Sequence, residues 1–248
     1  MRRILSLLLL PFFLLACQTE QANKKVLIYT KNGEGYVHDN IQASVDMLTA
    51  LADENEIEYL VTDKPSVFTD DQLSAFDALI FTNTNNEAFD NDDQRQAFKH
   101  YIQSGGGFVG IHSACGSERD WPWFWQMLGG TFVRHPPYQE FTIKVIDSDH
   151  PSTSFITGDW AWEDEAYYLD HLNPGIHVLL AHDMTTIEDK GKDEYPGVVF
   201  GDLYPGAWCQ EFDGGRQWYT SYGHHIKHYS DPTYMQHVLG GILWTLDK

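Results

Sequence analysis

Polar side chains capable of acid–base or metal chemistry follow several predicted strands, at the point where each strand ends. Tyr36 and His38 lie in the loop after the first strand, Asn83 follows the third, His112 follows the fourth, and His224 follows a late strand. In open α/β sheets, ligands bind beyond the carboxyl ends of the strands. We therefore expect these residues to meet at one edge of the sheet, with Tyr36, His38 and Asn83 contacting a substrate. With 12 histidines in the chain, any single one could equally be an ordinary surface residue.

His112 is the strongest catalytic candidate in the sequence. It directly follows an apolar strand and has Gly110 and Ser113 as small neighbours, which would let a ligand approach closely. An imidazole titrates near neutral pH, so it suits proton transfer or metal binding. By contrast, His225 and His228 are interpreted as surface residues.

A divalent metal is the one cofactor that these residues suggest. His38, His112 and His224, with Glu165 as a further ligand, would suit zinc, nickel or manganese. The histidines are spread along the chain without a tight spacing such as His-x-x-x-His, so their convergence allows a metal without requiring one. The loop 33–35 lacks the third glycine of a dinucleotide-binding fingerprint, and no motif indicates a nicotinamide or flavin.

The elements that must position these side chains alternate between strands and helices in the first half. Strands are predicted at 25–30, 57–62, 78–82 and 107–111, and helices at 39–55 and from Asn91 to Ser104. Asn91 is the expected N-cap, and Gly105 ends the second of these helices. Near-continuous apolar strands separated by helices indicate an α/β fold, a doubly wound, mostly parallel sheet with helices on both faces.

The second half is less regular and richer in aromatic residues. Strands are predicted at 142–146, 177–181, 197–201 and 217–221, and a closing helix at 231–246. No repeat or linker divides the chain, so residues 25–248 are predicted to form one domain.

Charge restricts the classes of partner. The chain has 248 residues with 36 acidic and 16 basic side chains, a formal net charge of -20. A negative field repels nucleic-acid phosphates and anionic membrane surfaces, so neither is an expected partner. For the same reason, a neutral small-molecule substrate is easier to accommodate than an acidic one.

The N-terminus is similar to a bacterial lipoprotein signal. Arg2 and Arg3 precede an apolar run, 4–16, that is too short to span a membrane and ends in Leu14-Leu15-Ala16-Cys17, which resembles a lipobox. Residues 1–16 are thus expected to be cleaved, and residues 17–24 to form a lipidated Cys17 and a tether. Gln18 at the next position favours the outer membrane, facing the periplasm, with the lipid anchor as the only membrane contact.

Two further cysteines, Cys115 and Cys209, are compatible with a single disulfide in an oxidising compartment. Sequence does not decide whether they meet.

An ordered set of motifs runs along the whole mature chain. The motifs are Tyr29-Thr30-Lys31 with Gly35-Tyr36-Val37-His38, Gly105 to Ala114, Trp121-Pro122-Trp123, Leu128 to Phe132, His135-Pro136, His150-Pro151, Asp164-Glu165 with Tyr167, Tyr204 to Trp208, Gly215-Arg216, Tyr219-Thr220 and Gly223-His224. Taken together, this set resembles the ThuA-like (trehalose-utilisation) family.

The resemblance implies a class I glutamine amidotransferase-like, flavodoxin-like fold. In that superfamily a cysteine nucleophile occupies the turn where this sequence has His112, so a functional glutamine amidotransferase is not expected. Cys115, three residues later, is a weak nucleophile candidate. The same resemblance points to Glu165 as the catalytic member of its acidic pair. It also suggests Asp164, His135, Trp208 and Arg216 as substrate-binding residues, although Arg216 could instead tie down a turn.

Three functions remain open from the sequence. The first is an enzyme of sugar catabolism, acting on a disaccharide, glycoside or keto-sugar by hydrolysis, elimination or isomerisation, with His112, Glu165 and His224 as catalytic residues. The second is a non-catalytic sugar-binding lipoprotein, and the third is a cysteine-dependent amidase. The sequence leaves the sugar, the reaction and the oligomeric state open.

Overall fold

The computed structural model describes residues 23–191 and 202–247. The expected signal segment, Cys17 and the strand expected at 197–201 lie outside these ranges. Within them, no helix has both the length and the apolar character needed to cross a membrane.

The described chain forms strands and α-helices connected by loops and short 3₁₀ helices. The strands are β1 (Lys25–Tyr29), β2 (Glu58–Thr62), β3 (Ala78–Thr82), β4 (Gly107–Ile111), β5 (Thr131–Arg134), β6 (Gln139–Val145), β7 (Trp160–Asp164), β8 (Tyr168–Asp170), β9 (His177–Asp183), β10 (Leu203–Phe212) and β11 (Gly215–Thr220). The α-helices are α1 (Ile41–Glu54), α2 (Asp70–Leu73), α3 (Asp92–Gln103), α4 (Pro122–Leu128) and α5 (Pro232–Leu246). The 3₁₀ helices span Pro65–Val67, His112–Gly116, Met184–Thr186 and Ile226–Ser230.

Nine strands form one mixed sheet in the order β2-β1-β3-β4-β11-β10-β9-β6-β7. The pairs from β2 to β11 are parallel, and those from β11 to β7 are antiparallel. The predicted parallel sheet is confirmed for the first half, and the second half extends it with antiparallel strands.

Helices cover both faces of the sheet, as predicted. Met47 of α1 and Val238 of α5 belong to the apolar core on one face, and Leu73 of α2, Phe98 of α3 and Phe124 of α4 belong to the core on the other. The central strands β3 and β4 are buried along their whole length, because both of their faces contact these cores. This explains why their sequences are continuously apolar rather than alternating.

Local signals determine the ends of α3. The Asn91 side chain accepts a hydrogen bond from the Gln94 amide at 3.1 Å, so it caps the helix as expected. Asp92 and Asp93 lie in the first turn, where the helix dipole favours negative charge. Gly105 takes a left-handed φ of +91° just after the helix ends.

The second half carries more strands than its sequence indicated. The segments predicted at 142–146, 177–181 and 217–221 overlap β6, β9 and β11, and the closing helix is α5. A separate two-stranded sheet of β5 and β8 was not predicted. It matters for function because the segments beside these two short strands reach the carboxyl edge of the parallel sheet.

Candidate active site

His112 occupies a strained turn directly after the central strand β4. Its φ is +51°, a left-handed conformation that costs a non-glycine residue of order 1–3 kcal/mol. The residue is fully buried, and its Nδ1 lies 2.7 Å from the Ser221 carbonyl oxygen. Because a carbonyl only accepts, Nδ1 carries the proton, and Nε2 presents a lone pair. The Tyr167 hydroxyl donates to that lone pair at 2.7 Å.

His38 and His224 meet His112 at the same edge of the sheet. The ring centres are 4.9 Å apart for His38 and His112, and 5.5 Å apart for each of the other two pairs. The Nδ1 atom of His38 lies 3.2 Å from the Ser113 hydroxyl, and Nδ1 of His224 is buried. The expected convergence of these three histidines is therefore present.

Glu165 places a carboxylate among the histidines. One oxygen, Oε2, lies 3.2 Å from His224 Nδ1 and 3.9 Å from His112 Nε2, and Oε1 lies 3.4 Å from His135 Nε2. One donor atom each from His38, His112, His224 and Glu165 lies within 4.8 Å of the other three. Three imidazoles and a carboxylate at this spacing can hold one divalent ion.

Burial keeps two of these imidazoles neutral. It lowers the pKa of His38 to about 4 and that of His112 well below its usual range, with neighbouring histidines adding to the effect. The Glu165 carboxylate instead raises the pKa of His224. Neutral imidazoles with free lone pairs are the form that binds metals.

Asp164 does not line the site but holds the backbone that carries its side chains. Its fully buried carboxylate accepts hydrogen bonds from the Gly223 amide at 2.8 Å, the His224 amide at 3.3 Å, the Glu165 amide at 2.8 Å and the Trp162 indole at 2.9 Å. Burial raises its pKa to about 6 although these bonds oppose the shift. As the last residue of β7 it points inward, and Glu165 turns to the site. The expected substrate contact of Asp164 is thus replaced by a positioning role.

Asn83 is also a supporting residue. It is fully buried with a φ of +51°, and its Nδ2 donates to the Tyr229 hydroxyl at 2.8 Å. That hydroxyl donates in turn to the Gly223 carbonyl at 2.6 Å, next to His224. Asn83 therefore holds the loop that carries His224 and does not line the cleft.

A cleft of about 350 Å³ opens onto the histidine cluster. Its lining comprises Tyr36, His38, Asn85, Ser113, Gly116, Arg119, Phe132, His135, Glu165 and Tyr167. Sequence reasoning missed Asn85, Arg119 and Phe132. Asn85 lies two residues after Asn83 beyond a strand end, and Phe132 ends one of the family-like motifs, so both carried a usable signal, whereas nothing local marked Arg119.

Two expected substrate contacts are not at the cleft. Trp208 is fully buried in the core, where its indole donates to the Leu128 carbonyl at 2.8 Å. Arg216 pairs in register with Gly107, at the opposite end of β4 from His112. Its guanidinium donates to carbonyls at the end of α5, including that of Trp244 at 3.0 Å. Neither is retained as a substrate-binding candidate.

One of the two histidines expected at the surface is buried. His225 is exposed, but only 2% of His228 is accessible, and its Nε2 donates to the Glu163 carbonyl at 2.9 Å. Its position in the 3₁₀ helix Ile226–Ser230 turns the ring inward against the Trp162 ring, 4.4 Å away between centres.

Cys115 and Cys209 are both buried and free. The Tyr219 hydroxyl lies 2.9 Å from Cys115 Sγ, and burial raises the pKa of that thiol to about 12. A thiol that stays protonated and buried does not favour the cysteine-dependent amidase.

Comparison with known proteins agrees with this architecture. The structure is similar to ThuA-like proteins from Bacteroides uniformis (TM-score 0.71, 23% identity, 90% of this chain and 91% of that one) and Parabacteroides merdae (TM-score 0.67, 18% identity, 91% and 90%). It is also similar to a protein from Thermoplasma acidophilum described as part of a GMP synthase (TM-score 0.55, 9% identity, 91% and 95%). These low identities show the fold only. No curated protein matches the sequence.

The family model described as "ThuA: Trehalose utilisation" matches residues 25–245. This range covers nearly all of the described residues and also residues 192–201, which lie between the two described ranges. The description of this family model associates the protein with sugar metabolism at a coarse level. The chain belongs to the ThuA family.

Proposed function

We propose that this protein is a metal-dependent enzyme acting on a sugar derivative. The observation that carries the proposal is the convergence of His38, His112, His224 and Glu165 at the carboxyl edge of the parallel strands, with donor atoms within 4.8 Å of one another. Such a cluster, open to a cleft, combines metal ligands with a substrate-sized space.

The residues present fit a divalent metal such as zinc, nickel or manganese. The Ser221 carbonyl fixes the tautomer of His112 by accepting from Nδ1, an arrangement typical of metal-binding histidines. The buried Nδ1 of His224, 3.2 Å from Glu165 Oε2, supplies a further ligand atom beside the carboxylate. A bound ion would supply Lewis acidity, polarising a carbonyl or hydroxyl oxygen of the sugar.

Proton transfer is assigned to side chains of the cleft. Glu165 lines it with a carboxylate that can accept a proton from the sugar and return it. His135 Nε2, 3.4 Å from Glu165 Oε1, connects this carboxylate to solvent because the His135 side chain is about one-third exposed. Burial raises the pKa of Tyr167 well above its usual range, so its hydroxyl stays protonated and acts as a hydrogen-bond donor.

The cleft chemistry is compatible with a sugar. Phe132, Tyr167 and Tyr36 supply flat apolar faces, and Asn85 and Ser113 supply polar groups. Together with the coarse association of the family with sugar use, this favours a glycoside or keto-sugar substrate. Acid–base or metal-assisted isomerisation, elimination or hydrolysis next to a carbonyl are the reactions that the groups could support.

Metal analysis of the purified full-length protein, with detergent, tests this proposal. We expect about one equivalent of metal per chain, lost in His112→Ala and His224→Ala but retained in His100→Ala, which removes an exposed histidine on α3. A wild-type protein that takes up no zinc, nickel or manganese would reject the metal-dependent reaction. The same His112→Ala variant tests the alternative of a non-catalytic sugar-binding protein. That alternative would be rejected if the variant lost sugar turnover but kept its sugar affinity.

We further propose that the protein is exported and held at the bacterial envelope, in the outer membrane facing the periplasm, by a lipid on Cys17. The lipobox-like sequence before that cysteine supports this placement.

A further inference from the structure

Arg119 is a cation in the cleft whose hydrogen bonds go to neutral acceptors. Its Nη1 donates to the Phe132 carbonyl at 3.1 Å, and its Nη2 donates to Asn85 Oδ1 at 3.3 Å. The guanidinium carbon lies 5.4 Å from the centre of the Phe132 ring. Two neutral oxygens orient the group without compensating its charge.

Ion pairing separates Arg119 from the other arginines of the described chain. Those three have carboxylate partners: Arg95 with Glu118 at 2.7 Å, Arg134 with Asp189 at 2.8 Å and Arg216 with Glu211 at 3.7 Å. Within the described residues, no carboxylate oxygen lies within 4.0 Å of the Arg119 guanidinium. This is notable in a chain with 36 acidic residues, because acidic partners are abundant.

The backbone leaves space for this guanidinium. A Cβ at Gly116 would lie 2.5 Å from Asn85 Oδ1 and 3.0 Å from Arg119 Nη2, so a side chain there would displace both groups. A guanidinium has five N–H groups, and the two hydrogen bonds leave three of them for other acceptors. Its planar, paired N–H donors match the paired oxygens of a carboxylate or phosphate.

We infer that Arg119 binds an anionic oxygen group, a carboxylate or a phosphate, on the sugar held at the histidine cluster. Arg119 and the cluster residues His38 and Glu165 line the same cleft, so one small ligand can contact both. Glu165 carries the opposing charge in this cleft, but it belongs to the cluster proposed to hold a divalent cation, which would offset that charge. The protein then selects acidic sugars over neutral ones, contrary to the expectation from its net charge. This assignment rests on the proposed sugar function.

Calorimetric binding of D-glucose, D-glucuronate and D-glucose 6-phosphate to the zinc-loaded full-length protein tests the assignment. We expect the wild type to bind at least one of the two anionic sugars about 10-fold or more tightly than glucose, since hydrogen bonds to charged groups are the strong ones. Glucuronate preference identifies a carboxylate, and glucose 6-phosphate preference identifies a phosphate. Arg119→Gln should reduce the preferred ratio to near one, and Arg119→Lys should keep part of it.

Lys64→Gln is the matched control, because it removes one positive charge from an exposed residue outside the cleft and should keep the wild-type ratio. Thermal unfolding and zinc content establish that each variant is folded and loaded. Equal binding of all three sugars by the wild type would overturn the role of Arg119 and leave the proposed sugar function standing. An anionic preference that survives in Arg119→Gln would do so too, because the metal would then be its source. Binding of none of the three sugars, with zinc still bound, would overturn the sugar function and this assignment with it.

Discussion

The Tyr167 hydroxyl donates to the lone pair of His112 Nε2, at 2.7 Å, and that is the lone pair which a metal would need. The phenol and an ion would thus compete for one atom of the protein. The hydroxyl satisfies a fully buried imidazole, and a bound ion would leave it free to donate toward a ligand in the cleft.

Tyr167→Phe should therefore destabilise only the metal-free protein. Losing a buried hydrogen bond and leaving Nε2 unpaired costs about 1–3 kcal/mol without metal, and close to nothing when an ion occupies the lone pair. Urea unfolding of wild type and variant, each with EDTA and with zinc, measures both differences. An equal loss in the two states would mean that His112 Nε2 is not a ligand.

Asp164→Asn should weaken both the fold and metal binding. The carboxylate accepts four hydrogen bonds, from three backbone amides and one indole, and an asparagine amide cannot accept all four. We expect a loss of about 2–4 kcal/mol in unfolding free energy and at least 10-fold weaker zinc binding, because the loop with His224 and Glu165 loosens. Glu163→Gln, half-exposed on the same strand, is the control. Unchanged zinc affinity in Asp164→Asn would remove its positioning role.

His182 should make the fold sensitive to acid. It is fully buried on β9, neither ring nitrogen has a hydrogen-bond partner among the described residues, and burial lowers its pKa to about 3. An unfolded histidine titrates near 6.5, so the unfolded state binds the proton first as pH falls. The contribution of neutral His182 to the free energy of unfolding is fully present above about pH 6.5. It is lost as the pH falls toward 3, by up to ~1.4 kcal/mol per pH unit.

Replacing this residue by a similar-sized apolar one, His182→Leu, should remove that slope. Urea unfolding at pH 7, 6, 5 and 4 should show that the free energy of unfolding falls less steeply with decreasing pH in the variant than in the wild type. Parallel stability curves for the two proteins would refute the assignment.

Arg216→Gln should cost stability without changing ligand binding. The guanidinium donates to carbonyls at the end of α5, where a cation complements the helix dipole, and lies over the Trp244 ring. We expect a loss of about 1 kcal/mol in unfolding free energy, with zinc and sugar affinities equal to those of the wild type. A fall in sugar affinity in the folded variant would return Arg216 to the binding residues.

Cys17→Ala should release the protein from the membrane fraction of the producing cell. Mass spectrometry should find diacylglycerol on residue 17 of the wild type only, because the proposed attachment is to the Cys17 thiol. Membrane association that persists unchanged in Cys17→Ala would reject the lipid anchor.

The sequence by itself determined the elements whose signals are local. Asn91 and Gly105 define the ends of α3 through their own side chain and backbone, and the apolar runs of β3 and β4 follow from burial on both faces. The meeting of His38, His112 and His224 was also predictable, because each follows a parallel strand and parallel strands share one carboxyl edge.

Tertiary structure decided which neighbouring residues reach the cleft. Asp164 and Glu165 are adjacent in the chain, yet one is buried and the other faces the histidines, because successive residues at a strand end point in opposite directions. Phe132 reaches the cleft from β5, and Arg119 reaches it from the loop between the 3₁₀ helix His112–Gly116 and α4. Arg216 lies at the far end of its strand. Such placements depend on strand register and long-range packing, which no local pattern encodes.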